Sequence, residues 1–472
     1  MLLSLAPIIL LIALLFSAVQ LFGADASYGP NQVALLIASA AAGLVGMYRG
    51  MSWSEVQDSM VDGIKVGLGP ILILMAVGGL IGSWMIAGTV PAMIYYGVAI
   101  LNPAIFFAAA AVICALASIS IGSSWTVAGT LGIGLIGIAD SFGLSPAITA
   151  GAIISGAYFG DKLSPLSDTT NLAAACTNVD LFAHIRHMLW TTVPAFVIAL
   201  LFFSMIDAGA AAEPEQIAIL RSALADQFNV GIGVLIPLAV MLFLIWRKVP
   251  AYPAIMLATV AGVATAALLQ ADVVRAFALS KNADSSVPLI EGLWLTLFGG
   301  FEGNTGNEEL NQLISKGGIA SMLNTVWLII SALAFGGVLE RTGILKQILD
   351  AVLRAVKSTG DLVLATVTGG VVTNILAADQ FLAIALPGRL FSTTYDDFGL
   401  SRENLSRTLE DSATMTSALI PWNTCGAYMA ATLGVATWEY APYAIFNIAC
   451  PLLAISFGYL LIKQKRVEAV PA

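Results

Sequence analysis

Long apolar runs separated by short polar stretches dominate the chain. Runs of about 17 to 25 residues, enough for a helix to cross roughly 30 Å of hydrocarbon, occupy residues 2–22, 31–48, 66–88, 103–121, 188–206, 228–246, 251–270, 319–340, 361–378 and 443–462. This pattern predicts helices that cross a membrane about ten times, with shorter pieces between them. Residues 2–22 are expected to be an uncleaved first helix: although Ala24-Asp25-Ala26 resembles a cleavage site, the run has no basic residues ahead of it and is long for a signal segment.

The apolar pattern breaks at two places. FGDKLSPLSDTTN, Phe159 to Asn171, carries two acids, a lysine and several hydroxyls around Pro165, and LEDSATMTSALIPWNTCG, Leu409 to Gly426, repeats the design around Pro421. Charged groups at membrane depth are costly and normally line a bundle interior or an ion pathway. The two runs belong to an internal repeat. FGLS recurs at 142–145 and 398–401, and an offset of 256 pairs those residues, Pro165 with Pro421, Asp140 with Asp396 and Gly132 with Gly388. VGGLI at 77–81 matches FGGVL at 335–339 after a two-residue shift. The expected division is an N-terminal repeat over 1–206, with scaffold helices in 2–48 and a core in 66–206. A linker over 207–318 carries scaffold helices in 228–270 and an amphipathic segment in the polar stretch 271–318, and 319–472 forms the second core and a cytoplasmic tail. Repeats with corresponding interrupted segments mark secondary transporters with a site near the bilayer midplane. The fold expected is therefore all-α and polytopic, with two inverted repeats and broken or re-entrant helices.

Composition agrees. With 58% hydrophobic and 10% charged residues and a mean hydropathy of +0.90, the chain is too apolar to cover a soluble surface. A net charge of -9 argues against a nucleic-acid partner. Four scattered cysteines support neither a disulfide framework nor a metal site. Basic residues just beyond apolar spans (Arg49, Arg247 with Lys248, Arg341 to Lys357, and Lys463 to Arg466) predict a cytoplasmic face that holds both termini. Asp25, Glu213, Glu215 and Asp226 fall in loops assigned to the other face. His184 and His187 are expected at the cytoplasmic surface.

Helices broken at proline leave free carbonyls and helix ends, which can coordinate cations where they line a wet cavity. Sodium prefers carboxylate, hydroxyl, amide and carbonyl oxygens. The candidate ion and proton ligands are Asp161, Ser167, Asp168, Thr169, Asn171, Asp379, Asp411, Asn423 and Thr424, with sodium at Asp168, Asp379, Asp411 and Asn423. At the 256 offset Asp161 faces Ser417, Asp168 faces Thr424, Asp379 faces Ser123 and Asp411 faces Ser155, so each acid has a hydroxyl as its mate. Trp125, Lys162, Arg389, Glu410 and Trp422 are candidates for holding an organic solute, although for Lys162 the reading as a structural ion is preferred.

GAYFGDKLSPLSDTTNLAAAC, DLFAHIRHMLWTT and LSRTLEDSATMTSALIPWNTCGAYMAATLGV resemble the signature stretches of the NhaC family of sodium/proton antiporters, within the ion transporter superfamily. The likeness runs in order from about Gly69 to Gly458. It implies a homodimeric antiporter working by an elevator-like or rocking motion, with sodium and protons as the transported ions and no cofactor. Similar sequences also include exchangers of malate and lactate and carriers of amino acids, so a coupled carrier of a small organic acid or amino acid is the alternative. No HExxH, GxSxG or Walker sequence points to an enzyme, and GNTGN at 303–307 lacks the lysine and spacing of a phosphate loop.

Overall fold

The computed structural model describes residues 2–22, 26, 28–206, 214–304 and 308–466. Asp25, Glu213 and Thr305 to Asn307 lie outside them. Among the described residues the chain is helical throughout, with one isolated bridge between Leu400 and Arg466 in place of any strand.

Among the described residues, eight helices are long and apolar enough to span a bilayer, and two bent pairs raise the number to as many as ten. The pair Ile217–Gln227 and Ile232–Trp246 bends by 87°, and Thr437–Tyr443 and Ile445–Tyr459 by 57°. The interrupted regions, which hydropathy passes over, fold as helices too. Pro146–Leu163 follows Ser145, whose hydroxyl caps it by accepting from the Ile148 N–H. Residues 271–318 hold three helices rather than a polar connection with one amphipathic segment: Ala271–Lys281, the apolar Pro288–Gly299, and Glu308–Ile314. Pro288–Gly299 packs on Leu68–Ile86, where Gly82 leaves room for the Thr296 carbonyl.

The duplication is visible in helix boundaries. At an offset of 256, Asp168–Thr177 corresponds to Thr424–Leu433, and Ser167 to Asn423 as the N-cap of each. The stretch Ser124–Ser141, which contains a π turn over Ala128–Gly132, corresponds to Gln380–Asp397. Gly122 (φ 72°) matches Ala378 (φ 57°), the left-handed residue that stops the preceding helix in each half. Contacts repeat as well. Ser118 Oγ donates to the Ala157 carbonyl at 2.6 Å, and Asn374 Nδ2 donates to the Ala413 carbonyl at 2.6 Å.

Mates run antiparallel. A Cβ on Gly67 would meet Leu333 and Ile329, whereas one on Gly78 would meet Gly318, Ile319 and Met322, so numbers rise along Leu68–Ile86 as they fall along Leu323–Arg341. Trp190 lies under Lys463 while Phe196 packs on Phe446, the same relation between Leu181–Met205 and its mate. The two halves are therefore inverted with respect to each other. Ala251–Leu269 runs parallel to Leu68–Ile86, with Gly262 against Ser83 and Trp84 and with Gln270 against Gly88.

Candidate functional site

Four helix starts converge in the core: Ser124, Asp168, Gln380 and Thr424 each begin a helix immediately after a capping residue. The first N–H groups of a helix have no partner within it, and here side chains meet part of that need. Ser123 accepts from the Thr126 N–H at 3.2 Å and Ser167 from Thr170 at 3.4 Å. Asp379 accepts from Leu382 at 2.8 Å and Asn423 from Cys425 at 3.0 Å. The Thr424 N–H reaches the Ala378 carbonyl at 2.9 Å, which ties the two breaks of the second half together.

A cavity of roughly 540 Å³ opens beside the breaks of the first half. Its polar wall is formed by Asp161, Asp168, Ser123, Ser124, Thr126, Ser167, Thr169 and Gln380, its apolar wall includes Trp125 and Phe381, and Lys248 stands at its edge. Asp161 is buried at the end of helix 146–163, where its Oδ2 accepts from the Ser124 N–H at 3.0 Å and from Ser124 Oγ at 2.7 Å. The mate of this contact is Ser417 donating to Gln380 Oε1 at 3.3 Å, so the carboxylate of one half answers to a hydroxyl in the other. Asp168, in the first turn of its helix, is exposed, and a negative charge there also suits the positive end of the helix dipole. Ser167 Oγ and Thr169 Oγ1 are 3.1 Å apart. Trp125 stacks on Tyr428, with ring centroids 4.0 Å apart and planes 12° from parallel, and the Tyr428 hydroxyl donates to the Trp125 carbonyl at 2.9 Å.

Other sequence candidates stand apart from this cavity. Asn171 is exposed and closes the turn, its Nδ2 donating to the carbonyls of Pro165 and Ser167 at 2.9 and 2.7 Å. Asn423 donates to the Asn374 carbonyl and side chain at 3.2 and 3.1 Å, next to the buried Thr424. Trp422 donates to the Ile375 carbonyl at 2.8 Å. Arg389 is exposed on Gln380–Asp397. Asp411 and Lys162 form a fully buried ion pair that joins the halves, and Thr191 Oγ1 also donates to Asp411 at 2.9 Å. Glu410 is fully buried in the π turn Glu410–Thr414 with neither oxygen hydrogen-bonded; the hydroxyls of Thr414 and of Thr169, a cavity-wall residue, face it. π turns are frequent at functional sites. The histidines are not at a free surface: His184 is buried with Nδ1 2.8 Å from Ser406 Oγ, and His187 Nε2 is 3.1 Å from Asn404 Oδ1. Both clamp helix 181–205 to Arg402–Leu409.

The sequence did not single out Ser124, Thr126 or Gln380 as ion ligands, although Ser124 and Thr126 lie in the glycine-rich stretch 122–134 that offers a place for an organic solute. The offset already marked Ser123 as the mate of Asp379, and extending it by one residue pairs Ser124 with Gln380. Chemically the cavity offers hard oxygen donors, the set sodium favours. Among the described residues no three His, Cys, Asp or Glu side chains come together as a metal-binding group, so a cation there would depend on hydroxyl and amide oxygens beside the carboxylates.

A family model described as the Na+/H+ antiporter family matches residues 156–461, which include Asp161, Asp168, Asp379 and both ends of the buried ion pair. The chain belongs to this family. It is 40% identical over 434 residues to the Na+/H+ antiporter NhaC of Alkalihalophilus pseudofirmus, covering 91% of this chain and 89% of the relative. It is 37% identical to the malate-2H+/Na+-lactate antiporter of Bacillus subtilis, with the same coverage. The arginine/ornithine antiporter ArcD of Halobacterium salinarum is 36% identical, over 97% of this chain and 91% of the relative. Among solved structures, the YdaH transporter of Alcanivorax borkumensis aligns over 86% of this chain and 89% of its own, at 13% identity and a TM-score of 0.39. Family membership and the spanning helices make this a multi-pass membrane transporter of the antiporter type.

Proposed function

We propose that the protein exchanges sodium ions for protons across the membrane, with the Asp161–Asp168 cavity as the cation site. The observation that carries this reading is the cavity itself: two carboxylates and the hydroxyls of Ser123, Ser124, Thr126, Ser167 and Thr169 in one wall, at helix breaks held within the protein. Sodium binds the deprotonated carboxylates with the hydroxyls completing its shell, and protonation removes the negative charge and releases it. One site then serves both ions without a separate gate. Family membership and the likeness to a protein named Na+/H+ antiporter NhaC support the ion pair chosen.

The edge of the cavity at Lys248 lies toward the end of the molecule that carries Arg49 and Arg341. Ala254 borders the cavity beside Gly69 and Pro70, and helix 251–269 runs from there toward Gly88 and away from Thr342, where the Arg49 side chain bonds. The positive-inside rule makes that end cytoplasmic, so the cavity is the inward-facing form and both termini lie inside. Inverted halves supply the second, outward-facing arrangement that alternating access needs.

A second reading rests on the size of the cavity. Roughly 540 Å³ falls within the range of about 300–1,000 Å³ typical of small-molecule pockets, more than a lone sodium ion requires, and Trp125, Phe381 and Lys248 suit an organic anion or zwitterion. The names of the malate/lactate and arginine/ornithine relatives point the same way. Reconstituted vesicles carrying a pH-sensing dye separate the two. Proton flux on a sodium pulse alone is expected, and Asp161→Asn should lower it about tenfold or more, the scale of a lost charge-assisted contact. Flux that appears only when malate, lactate or an amino acid is added would instead select the second reading.

A further inference from the structure

A second, smaller cavity of roughly 220 Å³ lies next to the first, and Phe381 borders both. It sits between Trp53–Val66 and Leu323–Arg341 on one side and the starts of Asp168–Thr177 and Gln380–Asp397 on the other. Asp379 lines it and is 1% exposed. One carboxylate oxygen, Oδ1, caps the helix through the Leu382 N–H; the other, Oδ2, is buried with no hydrogen-bond partner. Glu340, exposed at the end of helix 323–341, adds a second carboxylate to the lining. Everything else in the wall is apolar or glycine, with Leu172, Leu333, Leu382 and Phe381 as the larger members.

This donor set differs from that of the first cavity. A sodium ion needs several oxygens, and these lining side chains supply no hydroxyl or amide at all. An unpaired buried carboxylate nevertheless carries a large cost that a cation relieves. A cation with few hydrogen-bonding demands and an apolar body of its own satisfies both conditions. The space is below the roughly 300 Å³ at which drug-sized pockets begin, which limits the ligand to a few carbons.

From this geometry we infer a second ligand site, distinct from the sodium cavity, that binds a small aliphatic ammonium ion with its charged end on Asp379 and its chain against Leu172, Leu333 and Phe381. Primary alkylamines are protonated near neutral pH, as the lysine side chain is with its ordinary pKa of about 10.4. The carboxylate takes the ammonium hydrogens, the Phe381 ring adds attraction for the cation, and the leucines replace water around the chain. Glu340 draws the cation toward the entrance.

The test is calorimetric titration of the full-length protein in lipid nanodiscs with n-butylammonium chloride, n-butanol and sodium chloride. Asparagine is as good an N-cap as aspartate, so Asp379→Asn keeps the bond to Leu382 and the fold while removing the charge. The expected result is saturable butylammonium binding that Asp379→Asn weakens about tenfold or more and Glu340→Gln by about threefold, with Asp161→Asn unchanged and n-butanol silent. The inference fails if Asp379→Asn binds butylammonium like the parent protein, if n-butanol binds as tightly, or if sodium occupies the Asp379 site and the amine does not. Because Asp161→Asn is the variant that disables the sodium cavity, amine binding that survives in it separates this site from the exchange site.

Discussion

Lys162 and Asp411 are 249 positions apart, and both are fully buried. Removing water from two charges is expensive, and their mutual attraction offsets the cost only while both are present. Lys162→Met alone should therefore destabilise the protein by about 3–5 kcal/mol, with much of that loss recovered in the double variant Lys162→Met, Asp411→Leu. Thermal unfolding in detergent measures it; a single variant as stable as the parent would show that the pair is not the cross-link between halves described above. The individual acids could be picked out from the chain, because a carboxylate inside an apolar stretch has few structural uses. Their partners could not. Asp161 satisfied by Ser124, Asp411 by Lys162 and Asp379 by its own helix start are outcomes of tertiary packing that no local pattern encodes.

Helix breaks show the same limit one level up. Pro165 and Pro421 mark two of the four in the sequence, but the others, at Gly122–Ser123 and Ala378–Asp379, contain no proline and depend on a left-handed residue. Alanine in that conformation costs on the order of 1 kcal/mol. Ala378→Gly should accordingly be neutral or stabilising by up to about 1 kcal/mol after the added freedom of the unfolded chain is counted. Gly122→Ala should destabilise: its backbone is left-handed at φ 72° and the new Cβ would stand 2.7 Å from Leu166 Cβ. Melting temperatures of the two variants check the contrast, and equal shifts of the same sign would contradict it. Helix Pro146–Leu163 escaped hydropathy because Ser155, Asp161 and Lys162, which meet Phe446, Ser124 and Asp411 inside the protein, make its sequence less apolar than a lipid-facing span. Its close approach to helix 106–121 rests on small residues. A Cβ on Gly160 would lie 2.3 Å from the Ala115 carbonyl, so helices 106–121 and 146–163 touch backbone to backbone there.

For the whole molecule, the duplication was the most legible feature. An offset of 256 found in a tetrapeptide and a proline reappears in helix ends, caps and side-chain contacts from the 103–121 span to the end of helix 181–205. The inverted sense expected of the repeat agrees with the antiparallel mates, and what the chain alone left open was the division of labour between the acids. Asp161 and Asp168 share a hydroxyl-lined cavity, Asp379 lies in an apolar one, and Asp411 is bound to lysine. The proposed exchange rests on competition between sodium and protons for the carboxylates of the first cavity. Competition of this kind requires that binding one ion expel the other in equal thermodynamic measure. The most direct measurement is proton release from purified protein in weakly buffered detergent when sodium chloride is added, followed with a pH-sensing dye against a choline chloride control. Saturable proton release is expected from the parent protein, and its loss in Asp161→Asn. Sodium binding without proton release, or undiminished release from Asp161→Asn, would contradict it.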